Sequence, residues 1–241
     1  MANRGETKTQ KSLSAPNARY FLRKKDKFTT TSRPGPHNKE TSVPLTFALT
    51  QLLKVAGIAR EAKAILSEGQ VKVNGIVRKS MRFTVGLFDI IEIESMKKKW
   101  RFTFDSKGRL VAKEIDYKSK DFKISKIVGK RKIKKGKVVL TTNDGFILEV
   151  GKESVNVGDS VRIGLPSRKI EEVLRLEKGN SVFIVAGTHV GETSKIDSII
   201  EGNMQREKLI SLGKESQKYQ TVANNVFVVG KSKPELEVLT E

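Results

Sequence analysis

The sequence predicts an α+β protein that is mostly β and is preceded by a basic N-terminal arm. Apolar residues recur at helical spacing only near the start of the chain, and short apolar runs separated by glycine turns follow to its end. The first forty residues are polar, basic and interrupted by three prolines, so they should form no core of their own. We therefore expect an arm at 1–41, a two-helix and hairpin domain at 42–95, a central basic β-domain at 96–173 and a small β-barrel at 174–241.

The charge of the chain predicts a polyanionic partner. Its 241 residues hold 47 Lys and Arg against 27 Asp and Glu, a net charge of +20, which is typical of nucleic-acid binding. The excess lies in residues 1–40, at +7, and in residues 96–140, at +13. No apolar run approaches the roughly 20 residues that span a bilayer, no secretory signal is visible, and cysteine is absent. We expect a cytoplasmic protein with no membrane role and no small-molecule substrate.

The arm places aromatic residues beside cations. Tyr20, Phe21 and Phe28 lie among lysines and arginines, and such a mixture suits RNA, whose unpaired bases stack while its phosphates meet cations. We expect this arm to become ordered on its partner. Its candidate RNA contacts are Arg19, Arg23, Lys24, Lys25 and Arg33.

Two short helices and a hairpin follow the arm. The stretch PLTFALTQLLKVAG predicts a helix that begins after Pro44 and stops at Gly57, and AREAKAILSEG predicts a second helix with Gly69 just past its end. Asn74-Gly75 then predicts a tight hairpin turn, because both residues tolerate positive φ. Three cations lie off the apolar stripes of these helices and are free to face a partner, namely Lys54, Arg60 and Lys63.

This segment resembles the alpha-L RNA-binding motif. The resembling residues are Arg60-Glu61-Ala62-Lys63 on the second helix and EGQVKVNG at the turn into the hairpin. The motif occurs in a ribosomal protein family, in some pseudouridine synthases and in tyrosyl-tRNA synthetases, where the second helix and the hairpin face structured RNA. The resemblance implies RNA contacts from Arg60, Lys63, Lys72, Arg78 and Lys79. A two-helix hairpin unit with a purely structural role is the alternative.

The central region reads as strands joined by glycine turns. WRFTFDSKGRLVAKEI predicts two strands that turn at Asp105–Gly108, and KVVLTTNDGFILEV predicts two that turn at Asn143-Asp144-Gly145. The basic run between them is predicted to be a loop, whose crowded charges would repel one another unless phosphate neutralises them. Its candidate RNA contacts are Lys130, Arg131, Lys132, Lys134, Lys135 and Lys137.

The stretch SVFIVAGTHVGETSKIDSI sets Gly187 and Gly191 between two apolar runs. No Lys-Ser or Lys-Thr pair follows the second glycine, so a nucleotide loop is not expected. His189 has only the distant His37 as a fellow histidine, and without cysteine neither a metal nor a cofactor is expected. The pattern resembles the KOW motif of SH3-like barrels in ribosomal proteins and transcription factors. Ser194 stands where that motif usually has another glycine, which predicts a looser loop.

The order of these parts resembles one family, the small-subunit ribosomal protein S-four-e (S4e) family of archaea and eukaryotes. RPGPHNKETSVPL before the alpha-L unit and NNVFVVGKSKP near the C-terminus extend the likeness over nearly the whole chain. It implies a non-catalytic constituent of the small ribosomal subunit that binds ribosomal RNA, contacts neighbouring ribosomal proteins and supports subunit assembly and translation.

Two other functions remain open at this stage. The first is an RNA-modifying enzyme that uses the alpha-L unit to hold its substrate, and the second is a KOW-type transcription factor. An enzyme would need an acid, a base or a nucleophile in a cleft. The later carboxylates form no recognisable catalytic motif, and they are Asp144, Glu149, Asp159 and Asp197.

Overall fold

The computed structural model describes most of the chain in two compact units. The described residues are 8–19, 21, 24, 26–117, 121–133, 138–150, 155–203, 206–214 and 217–239. The first unit contains the described residues of Met1–Thr103 and Arg109–Ser119, and the second contains those of Phe104–Gly108 and Lys120–Glu241. The prediction of a mostly β protein with two short helices is confirmed.

The first unit opens with an antiparallel hairpin, β1 (Thr9–Lys11) and β2 (Phe28–Thr30). Its other strands are β3 (Val43–Pro44), β4 (Val71–Val73), β5 (Ile76–Val77), β6 (Thr84–Val85), β7 (Ile90–Ile93), β8 (Lys98–Phe104) and β9 (Leu110–Ile115). They form a two-stranded sheet, β3-β6, and a five-stranded sheet in the order β5-β4-β7-β8-β9. Strands β8 and β9, which the sequence assigned to the central β-domain, thus complete the sheet begun by the hairpin domain.

The two helices are shorter and less regular than the sequence predicts. Helix α1 (Leu45–Phe47) continues into a π-helical turn, Ala48–Leu52, and helix α2 spans Ala59–Ser67. The first helix ends before Gly57, the predicted stop. Lys54 ends it instead, because this residue adopts the left-handed conformation, with φ 52°, that was expected of a glycine. The predicted stop of α2 is confirmed, since Gly69 has φ 78°.

The core of the first unit lies between the helices and the five-stranded sheet. Leu45, Leu49 and Leu66 are fully buried from the helical side, and Val71 and Ile91 are fully buried from the sheet. Burial of each such side chain contributes roughly 1.5–3 kcal/mol. The cations of the helices are therefore held on a surface whose opposite side is fixed by packing.

The first sheet of the second unit is built around one long strand. Its strands are β10 (Phe122–Lys132), β11 (Val138–Thr142), β12 (Ile147–Val150), β13 (Ser160–Gly164) and β14 (Lys169–Leu174), in the order β12-β11-β10-β13-β14. The first half of β10 pairs with β13 and its second half pairs with β11, with a register shift between Ile127 and Gly129. Such a bulge bends a strand, so β10 can serve both sides of a curved sheet over a core that includes Ile127, Leu140 and Val161.

The second sheet of this unit contains β15 (Ser181–Ile184), β16 (Thr193–Ile200), β17 (Leu209–Lys214), β18 (Gln217–Val222) and β19 (Val226–Gly230), in the order β18-β17-β16-β15-β19. Neighbouring strands of this sheet all pair antiparallel. Val182, Phe183 and Val228 are fully buried, so the apolar run before Gly187 is a core strand.

Short 3-10 turns of three residues occur in both units. They lie at Ser12–Ser14, Glu94–Met96, Ala223–Asn225 and Glu237–Leu239.

Candidate nucleic-acid interface

Helix α2 presents two cations from a fixed scaffold. Ala62 and Leu66, four residues apart, are fully buried, whereas Arg60 and Lys63, three residues apart, are exposed on one side. The Glu61 carboxylate accepts hydrogen bonds from the backbone N–H groups of Gly57 at 2.7 Å and Ile58 at 3.4 Å. These bonds satisfy donors that the first turn would otherwise leave unpaired. The two cations are therefore preorganised before any partner arrives.

The hairpin beside α2 turns at Asn74-Gly75, as the sequence predicts. Asn74 and Gly75 have φ of 52° and 76°, the backbone of a type I′ turn. The Asn74 side chain also holds the next strand, because its Nδ2 donates to Asp89 Oδ1 at 2.7 Å and its Oδ1 accepts from the Ile90 N–H at 2.9 Å. Asn74 therefore forms the turn and also connects it to β7 through side-chain hydrogen bonds.

The three predicted cations of the hairpin lie in different surroundings. Lys72 forms an ion pair with Glu94, and this hydrogen bond raises the pKa of Lys72. The Arg78 guanidinium lies 4.5 Å from the centre of the Phe83 ring, a cation–π contact that leaves its charge partly accessible. Lys79 is exposed. Of the three, Lys79 is best placed for a phosphate, while Lys72 would first have to leave its carboxylate.

The arm is tied to this hairpin domain by a buried contact between His37 and Asp89. Nε2 of His37 lies 2.8 Å from Oδ2 of Asp89, whose side chain is 1% exposed. The same oxygen accepts from the Gly86 N–H at 2.8 Å. A Cβ on Gly86 would lie 2.4 Å from the His37 ring, so only glycine allows this approach. The sequence treated His37 as a distant tail residue and missed this contact, for which it carries no local signal.

Arg19, one of the predicted RNA contacts, is buried within the arm. Its side chain is 2% exposed, and it donates to the Thr30 carbonyl at 2.9 Å and to Ser32 Oγ at 2.7 Å. Burial lowers the pKa of Arg19 to about 10. In this structure Arg19 holds the arm together and cannot meet a phosphate.

The other predicted cations of the arm and first helix divide into two groups. Lys24, Arg33 and Lys54 are exposed, so they stay candidates for RNA contact. Arg23 and Lys25 lie outside the described residues. The described part of the arm belongs to the first unit.

The first three residues of the basic run of the central region lie on a strand, where the sequence predicted a loop. Lys130, Arg131 and Lys132 lie on β10 and pair with Leu140, Val139 and Val138 of β11. The apolar partners supply a sheet surface on which the long basic side chains can rest. All three cations are exposed, and the Lys130 ammonium donates to the Val155 carbonyl at 2.7 Å. Lys134, Lys135 and Lys137 lie outside the described residues.

The glycine turn between β15 and β16 contains two left-handed residues. Gly187 and Gly191 have φ of 100° and 84°, and a Cβ on Gly191 would lie 2.7 Å from the backbone of Asp105. His189 stacks on Tyr219 with ring centres 4.1 Å apart, and the Tyr219 hydroxyl lies 2.6 Å from Ser194 Oγ. Ser194 therefore ties the turn region to β18 through a side-chain bond that glycine could not make.

Three of the four carboxylates weighed for catalysis hold structural contacts. Asp144 lies 2.8 Å from the buried Lys123 ammonium, and Asp159 accepts two backbone N–H bonds at 2.9 Å. Asp197 pairs with Lys218, whose hydrogen bond lowers the pKa of Asp197. Within the described residues there is no group of three side chains that could hold a metal ion. No helix in the described parts of the chain is long and apolar enough to cross a bilayer.

Comparison with known proteins places the chain in a family. The profile of Ribosomal family S4e matches residues 96–170. The small ribosomal subunit protein eS4 of Methanosphaera stadtmanae is 37% identical to this chain over 239 residues, which are 99% of either chain. The chain belongs to the S4e family of ribosomal proteins. The protein of the same name from Archaeoglobus fulgidus is 36% identical over 95% of this chain and 96% of its own length.

A solved structure extends the S4e assignment to the fold. The crystal structure of the 30S ribosomal protein S4e from Thermoplasma acidophilum matches with a TM-score of 0.69 and 30% identity. The match covers 80% of this S4e-family chain and 97% of that one. The predicted family resemblance is thereby confirmed.

Lys123 and Lys126 of the central region are buried in this S4e-family protein. The Lys123 and Asp144 side chains are each 1% exposed. The Lys126 ammonium donates to the carbonyls of Ala223 at 2.6 Å, Asn224 at 3.1 Å and Val226 at 2.9 Å, and burial lowers the pKa of Lys126 to about 8. Both residues belong to the basic block of the sequence, where nothing separates a buried lysine from an exposed one. The surface charge is thus smaller than the block's composition suggests.

Proposed function

We propose that this chain is a structural constituent of the small ribosomal subunit that binds ribosomal RNA and contacts neighbouring ribosomal proteins there. Its relatives are named as small-subunit ribosomal proteins, which supports this role. Its work is to hold RNA in place and to support subunit assembly and translation, with no chemical step of its own.

The observation that carries the proposal is the exposed pair Arg60 and Lys63 on a helix whose opposite side is packed. The folded helix already fixes the backbone positions of both residues, so only their side chains have to be ordered when they meet two phosphates. The exposed cations Lys54 and Lys79 belong to the same unit. Phosphate contacts of this kind position a protein on RNA, and the shape of the surface that carries them selects the site.

A matched pair of double variants tests this interface. Arg60→Ala with Lys63→Ala removes two charges from α2, and alanine keeps the helix because it has the highest helix propensity. Lys178→Ala with Lys195→Ala removes the same charge from exposed positions of the second unit. Each protein is titrated at fixed salt with a fragment of small-subunit ribosomal RNA and with a scrambled RNA of equal length.

We expect the α2 variant to lose at least tenfold in affinity for the ribosomal fragment and to lose discrimination against the scrambled RNA. The control should weaken both RNAs by the same small factor. Co-sedimentation of the full chain with small subunits after a high-salt wash is the second measurement. A chain that washes off, or an α2 variant that matches the control, would rule out the proposed role of this surface.

A further inference from the structure

The first unit contains a cavity that the interface on α2 does not use. It has a volume of about 350 Å³ and is lined by the β1–β2 hairpin, by α1 with its π-helical turn, and by the start of α2. That volume is within the range of about 300–1,000 Å³ that is typical of ligand sites. Part of the lining comes from residues 1–40, which carry a net charge of +7.

Aromatic rings form part of its lining. Phe28 contributes a ring that is 55% exposed, so a face of this ring is open to a ligand. Phe21 and Phe47 also line the cavity and pack edge to face, with ring centres 5.6 Å apart. Because Phe47 is only 5% exposed, this second wall is fixed by the core. A flat ligand can therefore stack on Phe28 against a rigid background.

Polar groups share the lining with these rings. Thr9 and Thr30 are directly opposite each other in the hairpin register, so their side chains lie on one face of it, and both line the cavity. Gln51 and Asp26 also contribute to the lining. Hydroxyl and amide groups can donate and accept hydrogen bonds, whereas an ionised carboxylate only accepts them. The ligand should therefore be planar, with several polar edge atoms and N–H groups for Asp26.

Two cations near Phe28 indicate that the planar ligand carries a phosphate. The Lys27 ammonium lies 5.6 Å from the centre of the Phe28 ring, and Lys11 is directly opposite Phe28 in the hairpin register and exposed. A base of single-stranded RNA brings a phosphate on each side, and these cations can neutralise it while the ring stacks.

We propose that this cavity binds one unstacked guanine base of RNA. Among the four bases guanine alone presents two adjacent N–H donors, N1–H and the N2 amino group, on its Watson–Crick edge, and these suit the acceptor-only carboxylate of Asp26. The base stacks on Phe28, and its flanking phosphates lie near Lys27 and Lys11. This inference rests on the proposed RNA binding and assigns it a second, base-reading site.

The test uses the full chain and three single-stranded RNA pentamers, UUGUU, UUAUU and UUUUU, by fluorescence anisotropy at low salt. Every base has a face that can stack on Phe28, so a preference for guanine has to come from its two N–H groups facing Asp26. We expect UUGUU to bind at least fivefold more tightly than the other two. Phe28→Leu should abolish that advantage, and Phe28→Tyr, which keeps the ring, should retain it.

Asp26→Asn separates base reading from damage to the fold. Removal of a negative charge should strengthen binding of all three pentamers, while the preference for UUGUU falls below twofold. Leu13→Ala is the control for loss of an exposed apolar side chain in the same arm, since Leu13 is 70% exposed, and it should change nothing. Circular dichroism confirms that each variant is folded.

Equal affinity for the three pentamers, or a Phe28→Leu variant that keeps the guanine preference, would overturn the inference. Either result leaves the proposed function standing if the full chain still binds the ribosomal fragment through Arg60 and Lys63. Conversely, a chain that prefers UUGUU and fails to bind the ribosomal fragment would contradict the proposed function and support the cavity assignment.

Discussion

Nε2 of His37 lies 2.8 Å from Oδ2 of Asp89, across fifty-two positions of sequence. This contact fixes the end of the arm on the hairpin domain, because Asp89 also accepts from Asn74 Nδ2 and from the Gly86 N–H. A buried carboxylate that loses a partner is costly, roughly 1–3 kcal/mol. A substitution that breaks this contact should therefore destabilise both the arm and the hairpin turn.

The first prediction follows from this contact. His37→Ala should lower the free energy of unfolding by about 1–3 kcal/mol, measured by urea denaturation. In a double-mutant cycle with Asp89→Ala, the two losses should be less than additive by at least about 0.5 kcal/mol. Strict additivity would mean that the two side chains do not interact in solution.

The second prediction concerns the turn at Asn74. Proline cannot adopt its φ of 52° and would remove the N–H that donates to the Ile90 carbonyl at 2.9 Å, so Asn74→Pro should destabilise the first unit by about 3 kcal/mol or more. Asn74→Gly keeps the turn and loses only the side-chain bonds, which should cost about 1–2 kcal/mol. Equal losses for the two variants in thermal denaturation would contradict the type I′ turn.

The third prediction separates Arg19 from the RNA contacts. Arg19→Ala leaves the Thr30 carbonyl and Ser32 Oγ without their buried donor, so it should destabilise the protein by about 2–4 kcal/mol. At a temperature where the variant stays folded, its RNA affinity should fall less than twofold. A stable variant with strongly weakened RNA binding would instead show that Arg19 faces the RNA.

The fourth prediction uses the buried Lys126. Its pKa in the folded protein is about 8, below the ordinary lysine value of 10.5, so the folded state binds fewer protons than the unfolded state between these two values. Stability therefore rises with pH through that window, and the cost of the buried charge is fully present below pH 8. The unfolding free energy of the wild type, measured relative to Lys126→Met, should increase by about 3 kcal/mol from pH 8 to 10.5.

The exposed Lys178 provides the control for that measurement. Lys178→Met removes one ammonium without a buried environment, so its difference from the wild type should stay flat over the same pH range. If the difference in unfolding free energy between the wild type and Lys126→Met is also independent of pH, the three carbonyl acceptors of the Lys126 ammonium offset the cost of burying its charge.

The fifth prediction is the salt dependence of RNA binding. The logarithm of affinity should fall linearly with the logarithm of salt concentration, by about 0.7–0.9 for each phosphate contact. Removal of Arg60 and Lys63 should reduce the magnitude of the slope by about 1.4–1.8. An unchanged slope would mean that neither residue meets a phosphate.

The sequence alone determined the parts of this protein that depend on local chemistry. The turn at Asn74-Gly75 and the stop at Gly69 follow from residues that tolerate positive φ. The exposed position of Arg60 and Lys63 follows from the helical period of the apolar residues around them. The family resemblance rested on the order of these local signals along the chain, and it is confirmed.

Only the tertiary structure decided which cations are on the surface. Arg19, Lys123 and Lys126 belong to the same basic blocks as the exposed lysines, but they are buried because distant groups supply their partners: Ser32, Asp144 and the carbonyl of Ala223. The contact of His37 with Asp89 and the strand pairing of Lys130 to Lys132 likewise depend on segments far along the chain. A sequence pattern reports spacing along one segment, whereas burial of a charge requires a partner brought from another.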